Sequence, residues 1–392
     1  MQATIRGDMS LQATTAGILA AFVGFGSSFA VILRGIAAAG ASPAQAASGL
    51  LALCVVTGVC GILLSLRTRM PIVVAWTTPG AALLASGPPV HGGFGYAVGA
   101  FLVTGLLIVL AGLWPAMSRA VAAIPRSLAS AMLGGIVFGL CLAPVLGLQE
   151  KPGFIVIILA VWVVVGRVRR ALPVPAAVVV AVGLAALDLH GGVALSLKPQ
   201  LVWVTPQFSV SAIMSIGIPL FVVTMAGQNI PGLAVLSMNG YRPRYTTLLA
   251  TTGIASVLVA PFGAISINLA AITAAMCASH EAHADPARRW WASAVGGGVY
   301  VVIGLFSGLI TTFIALSSPV LITAVAGIAL FGALGSAVAG ATAEPAERDA
   351  AMVTFIFAAN GLRVFGIGGA FWGLVAGGVI LAAQKYRRRR DS

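Results

Sequence analysis

Long apolar runs separated by short polar connections fill the chain. A hydrocarbon core of about 30 Å needs about 20 apolar residues per helix, and on that measure the runs divide into fourteen segments. The first seven lie near residues 11–33, 44–66, 71–86, 93–117, 125–147, 153–169 and 172–189. After a polar, amphipathic connection from His190 to about Ser209, the second seven lie near 211–238, 244–261, 263–279, 290–314, 317–340, 349–361 and 364–385. The pattern predicts an all-α polytopic membrane protein with fourteen transmembrane segments, seven in residues 1–189 and seven in residues 190–392. The apolar run starting near Leu11 is too long for a signal peptide and has no small-residue cleavage site at its end, so it is expected to be the first span.

Two segments, the third and the tenth, are interrupted by polar residues at corresponding places: Trp76-Thr77-Thr78-Pro79-Gly80 and Ile265-Ser266-Ile267-Asn268-Leu269. Broken helices survive in a bilayer only where protein or a water-filled cavity surrounds them, and paired interruptions of this kind point to a transporter's binding site. Ile72 to Ala75 is apolar and β-branched, and Pro79 suits a first helical turn, where its missing N–H costs nothing. The reading is an extended stretch followed by a half-helix, repeated in span 10, where Pro261-Phe262-Gly263 opens the stretch and Ser266 or Asn268 caps a helix running from Ala270 to Cys277. Two half-helices entering from opposite sides would aim unpaired N–H groups and positive dipole ends at one space, which favours an anion. The alternative is that Pro79 kinks a packed helix and Asn268 bonds a neighbour.

The middle of span 8 reads Thr224-Met225-Ala226-Gly227-Gln228-Asn229-Ile230-Pro231-Gly232. Unpaired amides are costly to bury, so Gln228 and Asn229 meet either a substrate or another helix, and Pro231 frees a carbonyl one turn earlier. Ser27 and Ser28 in span 1 stand at the equivalent position, an offset of about 200 residues, while spans 3 and 10 echo at an offset of 189.

Composition and charge fix the setting. With 59% apolar and 8% charged residues and a mean hydropathy of +1.05, the chain cannot cover itself with a water-soluble surface. The net charge of +13 is not a nucleic-acid signature, because the basic residues fall between apolar runs in alternate loops. Arg6, Arg67, Arg69, Arg119, Arg126, Arg167, Arg169, Arg170, Arg242, Arg244, Arg288, Arg289, Arg348, Lys385 and Arg387 to Arg390 all fall on one side, expected to be cytoplasmic along with both termini. Arg34, Lys151, Lys198 and Arg363 remain outside or near outer ends. Seven spans per half then give the halves opposite orientations: an inverted repeat.

The nine acidic residues, Asp8, Glu150, Asp188, Glu281, Asp285, Glu344, Glu347, Asp349 and Asp391, all lie at or beyond span ends, which disfavours a carboxylate-centred cation site or proton relay. His91 and His190 lie in connections, while His280, Glu281, His283 and Asp285 form a loop read as solvated rather than metal-binding. Cys54, Cys60, Cys141 and Cys277 read as packing residues. Asn360 and Arg363 mark a polar break between the last two spans, read as a loop anchor, and runs such as Gly296-Gly297-Gly298 allow close helix packing. No cofactor, no metal and no enzymatic activity are expected.

These segments, in this order over essentially the whole chain, resemble the bacterial benzoate/proton symporter family of BenE type, within the wider group of nucleobase, sulfate and bicarbonate transporters. The resemblance implies a seven-plus-seven inverted repeat with a core domain (about 11–117 and 211–314) and a gate domain (about 125–189 and 317–385). It implies substrate contacts from Thr77, Thr78, Pro79, Gly80, Gln228, Asn229, Ser266 and Asn268, with Phe25 and Phe29 flanking an aromatic ring. It also implies a bacterial inner-membrane location, a homodimer through the gate domain, and proton-coupled import of an aromatic carboxylate by alternating access. The nucleobase branch has an acidic residue in span 8 where this chain has Gln228-Asn229, so proton coupling falls on no residue here. A passive anion channel, or a carrier of another small anion or a nucleobase on the same fold, is the alternative.

Overall fold

In a computed structural model of the chain, the structure describes residues 9–87, 92–114, 124–168, 172–187, 200–316, 318–360, 362–364 and 367–391. Arg6, Asp8, His91, Arg119, Arg169, Arg170, Asp188, His190 and Lys198, and the side chains of Arg363, Lys385 and Arg387 to Asp391, lie outside that description.

In chain order the elements are α1 (Leu11–Gly26), α2 (Phe29–Ala38), α3 (Pro43–Thr68), β1 (Val74–Trp76), α4 (Thr78–Ser86), α5 (Phe94–Leu113), α6 (Arg126–Cys141), α7 (Ala143–Gly147), α8 (Pro152–Val168) and α9 (Pro173–Leu187). The long helix α10 (Val210–Met238) is followed by α11 (Tyr245–Val259), β2 (Ile267–Leu269), α12 (Ile272–Ala278), α13 (Trp290–Leu305), α14 (Ser307–Leu316), α15 (Pro319–Thr342), α16 (Arg348–Ala359), β3 (Arg363–Val364), β4 (Ile367–Gly368) and α17 (Gly369–Asp391). Among the described residues seven helical stretches are long and apolar enough to cross a membrane, and an eighth such stretch is bent by 59° between α13 and α14. The protein is a mostly helical integral membrane protein.

Three local departures from the expected pattern bear on the site. The first span is broken: α1 stops at Gly26 and α2 restarts at Phe29. Gly24 and Gly26 weaken the helix, and the hydroxyls of Ser27 and Ser28 both donate to the Gly24 carbonyl, at 3.2 and 2.7 Å, which competes with regular helix bonding. In α10, Ile213–Gly217 and Met225–Asn229 are π-helical, a geometry that recurs at functional sites. The third departure concerns the tenth span. Neither Ser266 nor Asn268 caps a helix: α12 begins only at Ile272, after Ala271, because Ile267–Leu269 is held extended against β1.

Small residues let the helices cross closely. A Cβ on Gly58 of α3 would strike the Gly297 carbonyl of α13, and one on Gly297 would strike Gly58 in return. Between α5 and α11 a Cβ on Gly105 would strike the backbone N of Val257, and one on Gly253 that of Val109. Elsewhere α6 packs on α15, α16 and α17, and α8 on α9. Between α9 and α10 the described residues 200–209 run over the α3 and α5 ends, with Val204 N–H donating to the Pro261 carbonyl at 2.7 Å and Gln207 N–H to that of Gly95 at 2.9 Å.

Candidate functional site

A two-stranded antiparallel ladder joins the interrupted segments of the two halves. Val74 pairs with Leu269, Ala75 with Asn268 and Trp76 with Ile267, and the ladder extends through Thr77 N–H to the Ser266 carbonyl (3.2 Å) and Ala270 N–H to the Val73 carbonyl (2.9 Å). Water is scarce at such depth, so the outward-facing backbone groups need side-chain partners. Ser256 of α11 accepts from Ile267 N–H at 2.8 Å and faces its carbonyl at 3.1 Å. Asn229 Oδ1 accepts from Leu269 N–H at 2.9 Å, while its Nδ2 faces Met225 Sδ at 3.2 Å. Asn229 is fully buried and holds α10 to the ladder.

The ladder ends in a helix start. Thr77 is the N-cap of α4, accepting from Gly80 N–H at 3.1 Å, with Pro79 in the first turn as its chemistry suits. A side chain on Gly80 would collide with Leu220 and with Thr77 itself, so only glycine keeps this turn closed. The Thr224 hydroxyl of α10 donates to Thr77 Oγ1 at 2.9 Å and lies 3.3 Å from Ser266 Oγ. This buried chain of three hydroxyls ties α4, α10 and the strand entering β2 together. Asn268, also fully buried, donates from Nδ2 to the Leu269 carbonyl at 2.8 Å and leaves its Oδ1 unpartnered among the described residues.

A cavity of about 80 Å³ opens where α1, β1, α4, α10 and α12 converge. Ser27, Ser28, Trp76, Thr78, Gln228, Thr273 and Tyr300 are among its walls, and none of the residues lining it is charged. Aromatic rings back it. Phe25 stacks on Phe29 with centroids 5.0 Å apart, and meets Trp76 edge-on at 5.9 Å; Trp76 meets Tyr300 edge-on at 5.2 Å. The indole N–H of Trp76 donates to Ser28 Oγ at 2.8 Å, which fixes the ring. Gln228, half-buried and on the π-helical turn, makes no side-chain hydrogen bond to any described residue. Its amide and the N–H of Thr78, the one donor of the first turn of α4 not taken by Thr77 or lost to Pro79, therefore face the cavity as donors.

Of the expected contacts, Thr78 and Gln228 reach the cavity. Pro79 and Gly80 form the turn behind Thr78, Phe25 and Phe29 stack beside Trp76, and Thr77, Asn229, Ser266 and Asn268 are buried in the framework. Ser27, Ser28, Trp76, Thr273 and Tyr300 line the wall in addition to the contacts the resemblance implies. Trp76 sits inside the conspicuous Trp76-Thr77-Thr78-Pro79-Gly80 segment, whereas Tyr300 lies among apolar residues of a glycine-rich helix, where no local pattern marks it.

Comparison with known proteins assigns this architecture. The family model described as benzoate membrane transport protein (BenE) matches residues 7–383. The chain belongs to the BenE family. Within reach of that family, the chain is 40% identical over 369 residues to the "Inner membrane protein YdcO" of Escherichia coli (strain K12), covering 93% of each chain. It is 30% identical over 378 residues to the "Benzoate membrane transport protein" of Acinetobacter baylyi (strain ATCC 33305 / BD413 / ADP1), covering 95% of each. The BenE chain also shares its fold with the transmembrane domain of a cyanobacterium bicarbonate transporter, BicA, at a TM-score of 0.56 and 14% identity, over 96% of this chain and 97% of that one. Murine Slc26a9, an anion transporter in the inward-facing state, aligns at a TM-score of 0.57 and 13% identity over 96% of this chain and 68% of that one.

Proposed function

We propose that this protein is a secondary active transporter that imports an aromatic carboxylate, benzoate, across the bacterial inner membrane by proton symport. The observation that carries the reading is the cavity beside the α4 N-terminus, where the Gln228 amide has no partner among the described residues and aromatic rings form one side. A carboxylate would take the Thr78 N–H and the Gln228 amide, and the ring would lie against Trp76, with Phe25 packed edge-on behind it. Benzoate as the substrate draws support from the name of the Acinetobacter baylyi relative, and the inner membrane from that of the Escherichia coli one.

The mechanism is alternating access. At about 80 Å³ the cavity is far below the roughly 300–1,000 Å³ of ligand pockets, so a ring enters only when the walls part. The moving bodies are the core domain, about 11–117 and 211–314, and the gate domain, about 125–189 and 317–385. The packing of α6 on α15, α16 and α17 supports such a grouping. The fourteen segments form two inverted seven-span repeats, a reading supported by the pairing of β1 and β2 from equivalent places in the halves. Both termini are cytoplasmic by the distribution of basic residues, and the protein works as a homodimer through the gate domain.

Uptake of labelled benzoate into proteoliposomes, with and without an inward proton gradient, tests this reading. Saturable uptake stimulated by the gradient is expected. Absence of saturable uptake overturns the transport claim, uptake indifferent to the gradient removes symport, and an electrical current far above carrier turnover favours a channel.

A further inference from the structure

The charged residue least accounted for lies outside that site. Arg34 is the one charged side chain in α2, a helix in which Phe29 to Leu33, Gly35 and Ile36 are all buried. It is itself half-buried, and it makes no hydrogen bond or ion pair with any described residue. Ionisable groups within membrane helices are costly and mark ligand paths. Arg34 borders a cavity of about 480 Å³ in the crevice between α2 and α3 on one side and α14 and α15 on the other. That volume lies within the roughly 300–1,000 Å³ typical of small-molecule pockets. Ala30, Leu33, Ala46, Pro319 and Ile322 make most of the wall apolar, and the Thr311 and Thr323 hydroxyls donate to carbonyls of their own helix.

We propose that this cavity is a second binding site for small amphipathic monocarboxylates, in which Arg34 pairs with the carboxylate and the aliphatic walls take the ring. A guanidinium presents two parallel N–H donors to a carboxylate, and its plane is more easily desolvated than an ammonium. A dianion or a strongly polar anion would lose hydration against these walls without replacement. The same stretch of chain, running into α2, borders both cavities. Ser28, at the start of that helix, lines the central cavity, and Arg34 lies six residues further on, about 9 Å along the axis at 1.5 Å per residue. Gly35 meanwhile rests on the backbone of Ala81 in α4, so the helix carrying Arg34 is in direct contact with the one whose first turn borders the central site. Substrate held at Arg34 would stand at the entrance of the crevice that alternating access must open. The choice of ligand rests on the proposed transport of an aromatic carboxylate, while binding is measurable without transport.

Protection of a cysteine at Ala37 tests the proposal. Ala37 lines the cavity and is exposed, whereas all four native cysteines are buried. The full-length Ala37→Cys protein in detergent is reacted with N-ethylmaleimide in the presence of benzoate, of its neutral isostere benzamide, or of phosphatidylglycerol. Benzoate is expected to slow labelling and benzamide to leave it unchanged. In Arg34→Gln the half-protecting benzoate concentration rises about tenfold or more, as expected on loss of a charge-assisted contact. In Arg34→Lys, which keeps the charge and loses the planar fork, it rises less, and this variant decides the matter if Arg34→Gln does not fold. In Gln228→Ala protection persists. Undiminished protection in Arg34→Gln or Arg34→Lys, loss of protection in Gln228→Ala, or protection by phosphatidylglycerol in place of benzoate overturns the proposal. Arg34-dependent protection without any uptake in proteoliposomes would instead overturn the transport reading and leave this site standing.

Discussion

At the scale of single residues, the neighbouring amides Gln228 and Asn229 have separate physical roles. Asn229 is consumed by Leu269 N–H and Met225, and Gln228 faces the cavity unpartnered among the described residues. Asn229→Ala leaves a buried backbone N–H without its acceptor, which costs about 1–3 kcal/mol. A lowered melting temperature of the detergent-purified protein is therefore expected, and an unchanged one would show that the Leu269 contact contributes nothing. Thr224→Val removes the hydroxyl that joins Thr77 to Ser266. Its side chain keeps its volume, so the cost of about 1–2 kcal/mol comes from the orphaned hydroxyls, readable in the same thermal assay. Both amides were visible in the sequence as costly groups needing partners. Which of the two faced protein was not, because that depends on how the π-helical turn at Met225–Asn229 rotates their side chains.

At the scale of elements, the ladder and its two short helices are the unit that positions the site. Pro79 after two threonines announced a helix start, and Thr77 indeed caps α4. The mirrored cap at Ser266 or Asn268 failed because β1 requires Ile267–Leu269 as its strand partner, a long-range demand that local cap preferences do not contain. The far end of α12 depends on Arg289. Its guanidinium is buried and donates to the carbonyls of Ala278 and His283 at 2.7 Å each and of Ala284 at 3.3 Å. An ammonium cannot reach three carbonyls lying in these directions. Arg289→Lys is expected to loosen this turn and speed amide exchange in residues 278–284, while leaving exchange in α5 unchanged; equal exchange throughout would refute the cap.

At the scale of the whole molecule, the apolar runs alone mark a membrane protein, since their length and spacing answer to bilayer thickness. The helix crossings were less legible: Gly296-Gly297-Gly298 signalled close packing, but not that Gly297 meets Gly58 of α3. Gly297→Val drives a branched side chain into that backbone contact, and the protein is expected to lose its monodisperse elution peak, whereas Gly298→Ala, where a Cβ meets nothing within 4 Å, is expected to elute unchanged. The break of the first span at Ser27-Ser28 escaped the hydropathy pattern because both halves of it are equally apolar.

The central claim is that the anion sits in the cavity walled by Thr78, Trp76 and Gln228. The most direct measurement is the benzoate KM of Gln228→Ala in proteoliposomes, taken beside its melting temperature. The expected result is a rise in KM of about tenfold, the worth of one hydrogen bond to a charged group, with the melting temperature unchanged, since the Gln228 side chain has no partner to lose among the described residues. An unchanged KM, or a loss of uptake that follows a loss of stability, would contradict it.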